Sequence, residues 1–224
     1  MSDQEYDPQA LLASPEPGPA YNEWWQARRN ANKAIQQLME NFVHSVDSSE
    51  ELNTFAEQVN LLASNLKTNP DTMSFSALAQ SGDHGSAEFL GHEINPIMGQ
   101  SNPLAPPLNV WTEGDLFKGI VNFPRQYEGP PNYVHGGYIA ATFDQLLGAA
   151  QTLLESPGVT GTLSVRYAAP APLYQDITAV AQVDRREGRK IFMSAQMHCN
   201  DVLIASSEAI FIRWKDDTFL DLDK

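Results

Sequence analysis

The sequence predicts an α+β protein in which an antiparallel sheet wraps around one helix. Three observations lead there. Gly136–Leu154 reads as a helix whose side chains Tyr138, Ile139, Ala141, Thr142, Phe143, Leu146, Leu147 and Leu153 are apolar around most of its circumference, so it should be largely buried. The segments on both sides of it alternate with the two-residue period of strands. Ahead of them lies a pair of amphipathic helices and a turn-rich connection, with the compositional break near residue 100. At 224 residues, 42% hydrophobic and 19% charged, the chain is of ordinary globular composition.

The elements follow in order. Ser14–Ala20, SPEPGPA, is a turn-rich lead-in. Trp25, Ile35, Leu38, Met39, Phe42 and Val46 form a helical stripe, with Arg28, Arg29 and Lys33 on the remaining faces. The Trp24-Trp25 pair is expected to anchor this helix. Ser48 and Glu51 have the spacing of a capping box, after which Leu52, Phe55, Val59, Leu62 and Leu66 repeat at three and four until Asn69-Pro70. Asn22–Lys67 is therefore expected to be a helical hairpin whose apolar faces pack on the rest of the protein. Residues 68–108 are rich in Gly, Ser, Asn and Pro and read as an extended connection. A strand covers Leu116–Phe123 and stops at Pro124; Glu128-Gly129-Pro130-Pro131 is a turn. Ser156-Pro157-Gly158 ends the long helix. Strands then cover Thr160–Ala168, Asp176–Arg186, Lys190–Cys199 and Val202–Trp214, with turns at Glu187-Gly188 and Asn200-Asp201. The expected division is 1–100 acidic helical segment and connection, 101–215 α+β domain, 216–224 acidic tail.

Charge narrows the functions. Asp+Glu number 28 against 14 Lys+Arg, and residues 1–100 hold 14 of those acids and 4 of those bases. A net charge of -14 is repelled by phosphate backbones and anionic lipid surfaces, so neither nucleic acid nor membrane is an expected partner. The single Cys199 allows no internal disulfide and reads as structural. The start, MSDQEYDPQALLAS, has neither the apolar core of a secretory signal nor the arginines of a transit peptide, and no apolar run is long enough to span a bilayer. A cytoplasmic location is expected.

No G-x-S-x-G elbow, P-loop, H-E-x-x-H or dinucleotide G-x-G-x-x-G is present. His84 and His92 are the nearest approach to a metal pair, and a plain polar loop explains them better. The informative stretch runs from His135 to Asp144. Gly136 and Gly137 open the long helix and leave backbone N–H groups uncovered at its positive end, a place for a developing oxyanion. Asp144 lies among Phe143, Leu146 and Leu147, where a carboxylate is costly unless it is hydrogen-bonded, paired or facing a cavity. On these residues alone two readings stand: a catalytic pair, or a glycine pair for close packing with a structurally bonded Asp.

His135-Gly136-Gly137 followed by Asp144 resembles the pattern of hotdog-fold acyl-CoA thioesterases of the phenylacetate-pathway type and of the mammalian thioesterase-superfamily-member enzymes. Thr160, Val165-Arg166-Tyr167, Pro170-Ala171-Pro172-Leu173 and the Glu187-Gly188-Arg189-Lys190 turn follow at the family's spacings. Tyr127-Glu128-Gly129-Pro130-Pro131 resembles the approach to the helix in bacterial members. The likeness covers about Asn102–Trp214. One departure is that Ala168-Ala169 follows Tyr167, where some relatives carry a basic residue. The resemblance implies a hotdog fold and at least a dimer. It also implies hydrolysis of an acyl-CoA thioester without metal or redox cofactor, with coenzyme A present only as part of the substrate. Carried over, Asp144 activates water or attacks the thioester carbon, the Gly136 N–H polarises its carbonyl, and His135 and Thr160 support them. Gly137 and Arg166 are expected beside the substrate.

Helix geometry argues separately for two chains. Eight residues separate Gly136 from Asp144 by about 12 Å along the axis. Both must approach one carbonyl to about 3 Å, so a shared site needs Gly136 from one chain and Asp144 from another, in a homodimer or tetramer. The turn Arg185–Lys190 holds four of the 14 basic residues. Arg189 and Lys190 are expected to meet the phosphates of coenzyme A; a charged turn kept for solubility is the competing account. Two other functions compete with this one: another acyl-thioester reaction such as hydration, which lacks its second acidic or His partner here, and a non-catalytic acyl-CoA-binding module, which has no use for Asp144.

Overall fold

The computed structural model describes residues 12–67, 87–151, 154 and 158–213. The first eleven residues, Asn69-Pro70, His84, Leu153, Ser156-Pro157, Trp214 and the acidic tail lie outside the described residues. Four α-helices are present among those described: α1 Glu23–His44, α2 Ser49–Asn65, α3 Ala87–Ile94 and α4 Gly136–Ala150. Six strands join them: β1 Leu108–Glu113, β2 Leu116–Asn122, β3 Gly158–Tyr167, β4 Asp176–Glu187, β5 Lys190–Cys199 and β6 Val202–Arg213.

The strands form one antiparallel sheet in the order β1-β2-β4-β5-β6-β3. Gly114 and Gly188, each at a φ near +60°, close the tight turns between β1 and β2 and between β4 and β5, where an L side chain would be strained. One face of the sheet holds α4. Ile139, Phe143, Leu146 and Leu147 of α4 are fully buried with Phe117, Ile191, Met193 and Phe211 of the sheet in one core. Each such side chain contributes about 1.5–3 kcal/mol. The helix sinks deep into the sheet because its floor is small: a Cβ at Gly119 would meet Leu146 Cδ1 at 3.1 Å, and Ala179, Ala181 and Ala195 are buried nearby. The sheet-wrapped helix predicted from sequence is the observed architecture, with helices ahead of it.

Three local expectations are corrected. The first strand is β1, starting at Leu108, a residue assigned to the connection. Its run Leu108–Glu113 is interrupted by the polar Asn109 and Thr112, and pairing with β2 supplies its order. The connection also contains α3. Finally, α1 buries only the first member of its apolar stripe, Trp25, and leaves most of the rest exposed. Ile35, Leu38, Phe42 and Val46 are exposed, while Trp25, Arg29 and Asn32 are buried. Arg29 is tolerated there because its guanidinium bonds Glu93 of α3 and donates to the Gly18 carbonyl at 2.6 Å, while the Ser101 hydroxyl donates to the other Glu93 oxygen at 2.5 Å. Beyond Trp25 the seam is completed by Arg29 and Asn32 rather than by the later apolar residues, and full partnering makes the buried guanidinium tolerable. α2 forms with its capping box in place and touches α1 through a Phe42–Phe55 stack, yet buries no residue.

Candidate active site

Loop 124–135 aims the start of α4. A 3₁₀ turn at Arg125–Tyr127 leads to Gly129, where a Cβ would fall 2.7 Å from His135 Cα, so only glycine lets the chain double back. The His135 N–H donates to the Tyr127 carbonyl at 2.9 Å, and Val134 N–H to Ala171. His135 is the N-cap of α4: its Nδ1 accepts from the Gly137 N–H at 3.0 Å. A neutral imidazole accepting at Nδ1 carries its proton on Nε2. The expectation of two uncovered N–H groups is thus corrected to one. Gly137 is satisfied by the imidazole, and Gly136 N–H has no partner among the described residues.

Asp144, two turns on, is half-buried, and its Oδ1 accepts from the Thr160 hydroxyl at 2.9 Å. That contact depends on a β-bulge. Thr160 and Tyr167 are an odd number of residues apart, so a regular strand would turn them to opposite faces. The register shifts between Thr160 and Thr162, leaving Gly161 as the extra residue. Thr160 then pairs with Phe211 and Tyr167 with Ala205, both core residues, so both face α4. The Tyr167 hydroxyl donates to the Gly136 carbonyl at 2.8 Å. Tyr167 belongs to the sequence pattern, but its contact is not legible there, because the bulge hides its shared face with Thr160.

The basic residues divide. Arg166 pairs with Ser206 and lies on the outer face, away from Asp144 of its own chain. Lys190 pairs with Ile212, also outward, and Arg189 Nη1 contacts the Arg213 carbonyl at 3.4 Å. Arg185 stacks 3.7 Å over Phe192 and pairs with Glu187. Arg186, which the sequence does not single out from the rest of the basic turn, is placed differently. A second bulge, between Val183 and Arg185, turns it onto the face of Thr160, along the cross-strand row Thr160–Phe211–Ile191–Arg186. Three strand spacings make that row roughly 14 Å long. Among the described residues there is no group of three or more His, Cys, Asp or Glu placed to hold a metal ion, and no helix is long and apolar enough to cross a membrane.

Residues 131–205, which contain His135, Gly136, Asp144 and Thr160, match the thioesterase superfamily. The chain is 38% identical over 88 residues to the acyl-coenzyme A thioesterase THEM4 of Xenopus laevis, an alignment covering 38% of this chain and 40% of that one. It is 33% identical over 100 residues to THEM4 of Mus musculus, covering 44% and 41%. The match therefore spans about two fifths of the length of these curated relatives. The solved structure of a thioesterase superfamily protein aligns over 90% of this chain and 94% of its own, with a TM-score of 0.69 and 25% identity. A likeness that broad extends beyond the sheet and α4 into the N-terminal part of the chain. The resemblance read from the sequence is borne out, and the sheet-wrapped helix is the hotdog fold.

Proposed function

We propose that this chain hydrolyses acyl-CoA thioesters to a free acid and coenzyme A. The observation that carries the reading is the pair of groups on α4: an unpartnered Gly136 N–H at the helix N-terminus, and Asp144 held by Thr160 beside the same helix. The N–H and the positive end of the dipole suit the oxygen of a thioester carbonyl as it gains charge. Thr160 occupies Asp144 Oδ1, which leaves Oδ2 to take a proton from water or to attack the carbonyl carbon. In either route the C–S bond breaks, water supplies the acid's new oxygen, and its proton ends on the coenzyme A sulfur. His135 serves by capping: with Gly137 N–H satisfied, the Gly136 N–H is the free donor. A Cβ at Gly137 would lie 3.0 Å from His135 Nδ1, so a side chain there would crowd the capping imidazole.

The site is completed by a second copy of the chain. The two groups lie about 12 Å apart on one helix, so the Gly136 N–H of one chain serves the thioester attacked at Asp144 of another. Edge strand β3 is exposed along most of its length in the single chain, which leaves a surface for that copy. Of the basic turn, Arg186 has the face and distance to meet a coenzyme A phosphate from the same inner surface, with Arg189 and Lys190 on its rim. Release of free thiol from a panel of acyl-CoAs differing in chain length and aromaticity tests the activity. Turnover of at least one is expected; tight binding without thiol release from any would leave the non-catalytic reading.

A further inference from the structure

The N-terminal segment reaches the helix end through a continuous set of contacts. Asn32 and Gln36 of α1 donate to the carbonyls of Gln100 (3.0 Å) and Ala105 (2.9 Å), fixing residues 100–105 against the helix. Within that segment the Leu104 carbonyl accepts from the Tyr127 hydroxyl at 3.3 Å. Tyr127 is 2% exposed. Its ring lies edge-to-face with Phe123 (5.7 Å) and with Tyr138 in the first turn of α4 (4.7 Å), and its carbonyl receives the His135 N–H. Burial, reinforced by neighbouring Tyr138, pushes the phenol well above its usual range, so it is a donor throughout the working pH range. Two contacts on the far side of Tyr127 thus hold the capping residue and the first turn of α4, and one contact on the near side holds residues that α1 clamps.

We propose that Tyr127 is a positioning residue: it ties the Gly136 N–H to the segment clamped by α1, so that docking of the N-terminal helix sets the aim of the carbonyl-polarising group. The proposal rests on the hydrolytic reading above for its kinetic consequence, and on the contacts alone for its structural one. A donor that is misplaced by a fraction of an ångström weakens the transition state more than the bound substrate, because the carbonyl oxygen gains charge only as the reaction proceeds.

The test is Tyr127→Phe in the full chain, measured by acyl-CoA kinetics and by residue-resolved amide hydrogen exchange. The ring contacts remain, and the Leu104 carbonyl, on a residue 61% exposed, can turn to water. Expected is a fall in kcat of about tenfold with KM within about twofold, together with exchange at His135 and Gly137 about fivefold faster or more while β5 amides are unchanged. Gln36→Ala should speed the same two amides to a smaller degree. Unchanged exchange at His135 and Gly137, or an equal rise at β5, overturns the proposal and makes Tyr127 an ordinary core residue. Should the wild-type chain release no thiol from any acyl-CoA, the hydrolytic reading fails on its own, and the exchange comparison still decides whether Tyr127 holds the turn.

Discussion

At Gly129 and Gly161 the absence of a side chain determines what neighbouring residues can do. Gly129→Ala would push a methyl against His135 main chain, 2.7 Å from its Cα, and backbone cannot yield as a side-chain tip does. We expect about 1–3 kcal/mol of destabilisation by denaturant titration, and weaker catalysis because the cap of α4 moves with it. Asp144→Asn addresses the chemistry. The amide oxygen can still accept from the Thr160 hydroxyl, so the fold should hold, while the loss of a basic carboxylate should lower thiol release by about 10²–10⁴-fold. Hydrolysis within a few-fold of wild type would make Asp144 structural.

Single elements differ sharply in how they are held. α1 is fixed by the Arg29–Glu93 pair, in which Glu93 has no exposure. Removing one partner strands the other: Glu93→Ala should cost about 3–5 kcal/mol, whereas Arg29→Met with Glu93→Leu together should be close to neutral in an equilibrium unfolding experiment. Next to this pair, His92 of α3 is held below its ordinary pKa, first by burial and then by the Arg29 charge. Its folded pKa is below its unfolded one, so the unfolded chain binds more protons as pH falls through about 6.5. Stability should decline there, levelling once pH passes below the folded value. His92→Gln should flatten that part of the profile; an unaltered slope would assign it to another group. α2 is the opposite case, since it has a complete capping box and no buried residue. Ser48→Ala should reduce helical circular dichroism by loosening α2, worth about 1 kcal/mol locally, while the main unfolding transition stays in place.

For the whole molecule, the decisive matter is how many chains build one site. Mixing Asp144→Asn with Gly136→Pro, which deletes the N–H, should restore activity in exchanged subunits, because one composite site is intact. Demonstrated exchange without recovery would contradict the two-chain site. The coenzyme A end is tested by Arg186→Ala, expected to raise KM for acyl-CoA several-fold with kcat little changed, and to matter less at high salt and for an acyl-pantetheine lacking the phosphoadenosine. An equal loss on both substrates would mean that Arg186 supports folding or assembly instead.

The helix from Gly136, its burial, the strands around it and the group of His135, Gly136, Asp144 and Thr160 were legible in the sequence, because period, turn chemistry and motif spacing are local properties of a chain. What the sequence could not supply was how competing local preferences resolve. The apolar stripe of α1 was plain, but past Trp25 the buried seam went to Arg29 and Asn32, since Glu93, some sixty residues away, supplied the partner that makes a buried guanidinium tolerable. β1 was hidden because its order comes from pairing with β2 rather than from its own pattern. The faces of Thr160 and Arg186 were set by bulges at Gly161 and Asp184, and a one-residue shift in register reverses every side chain beyond it. Residue types and their order thus determined which chemistry is available; tertiary packing alone decided which side chains face α4, because strand facing and charge burial depend on partners distant in sequence.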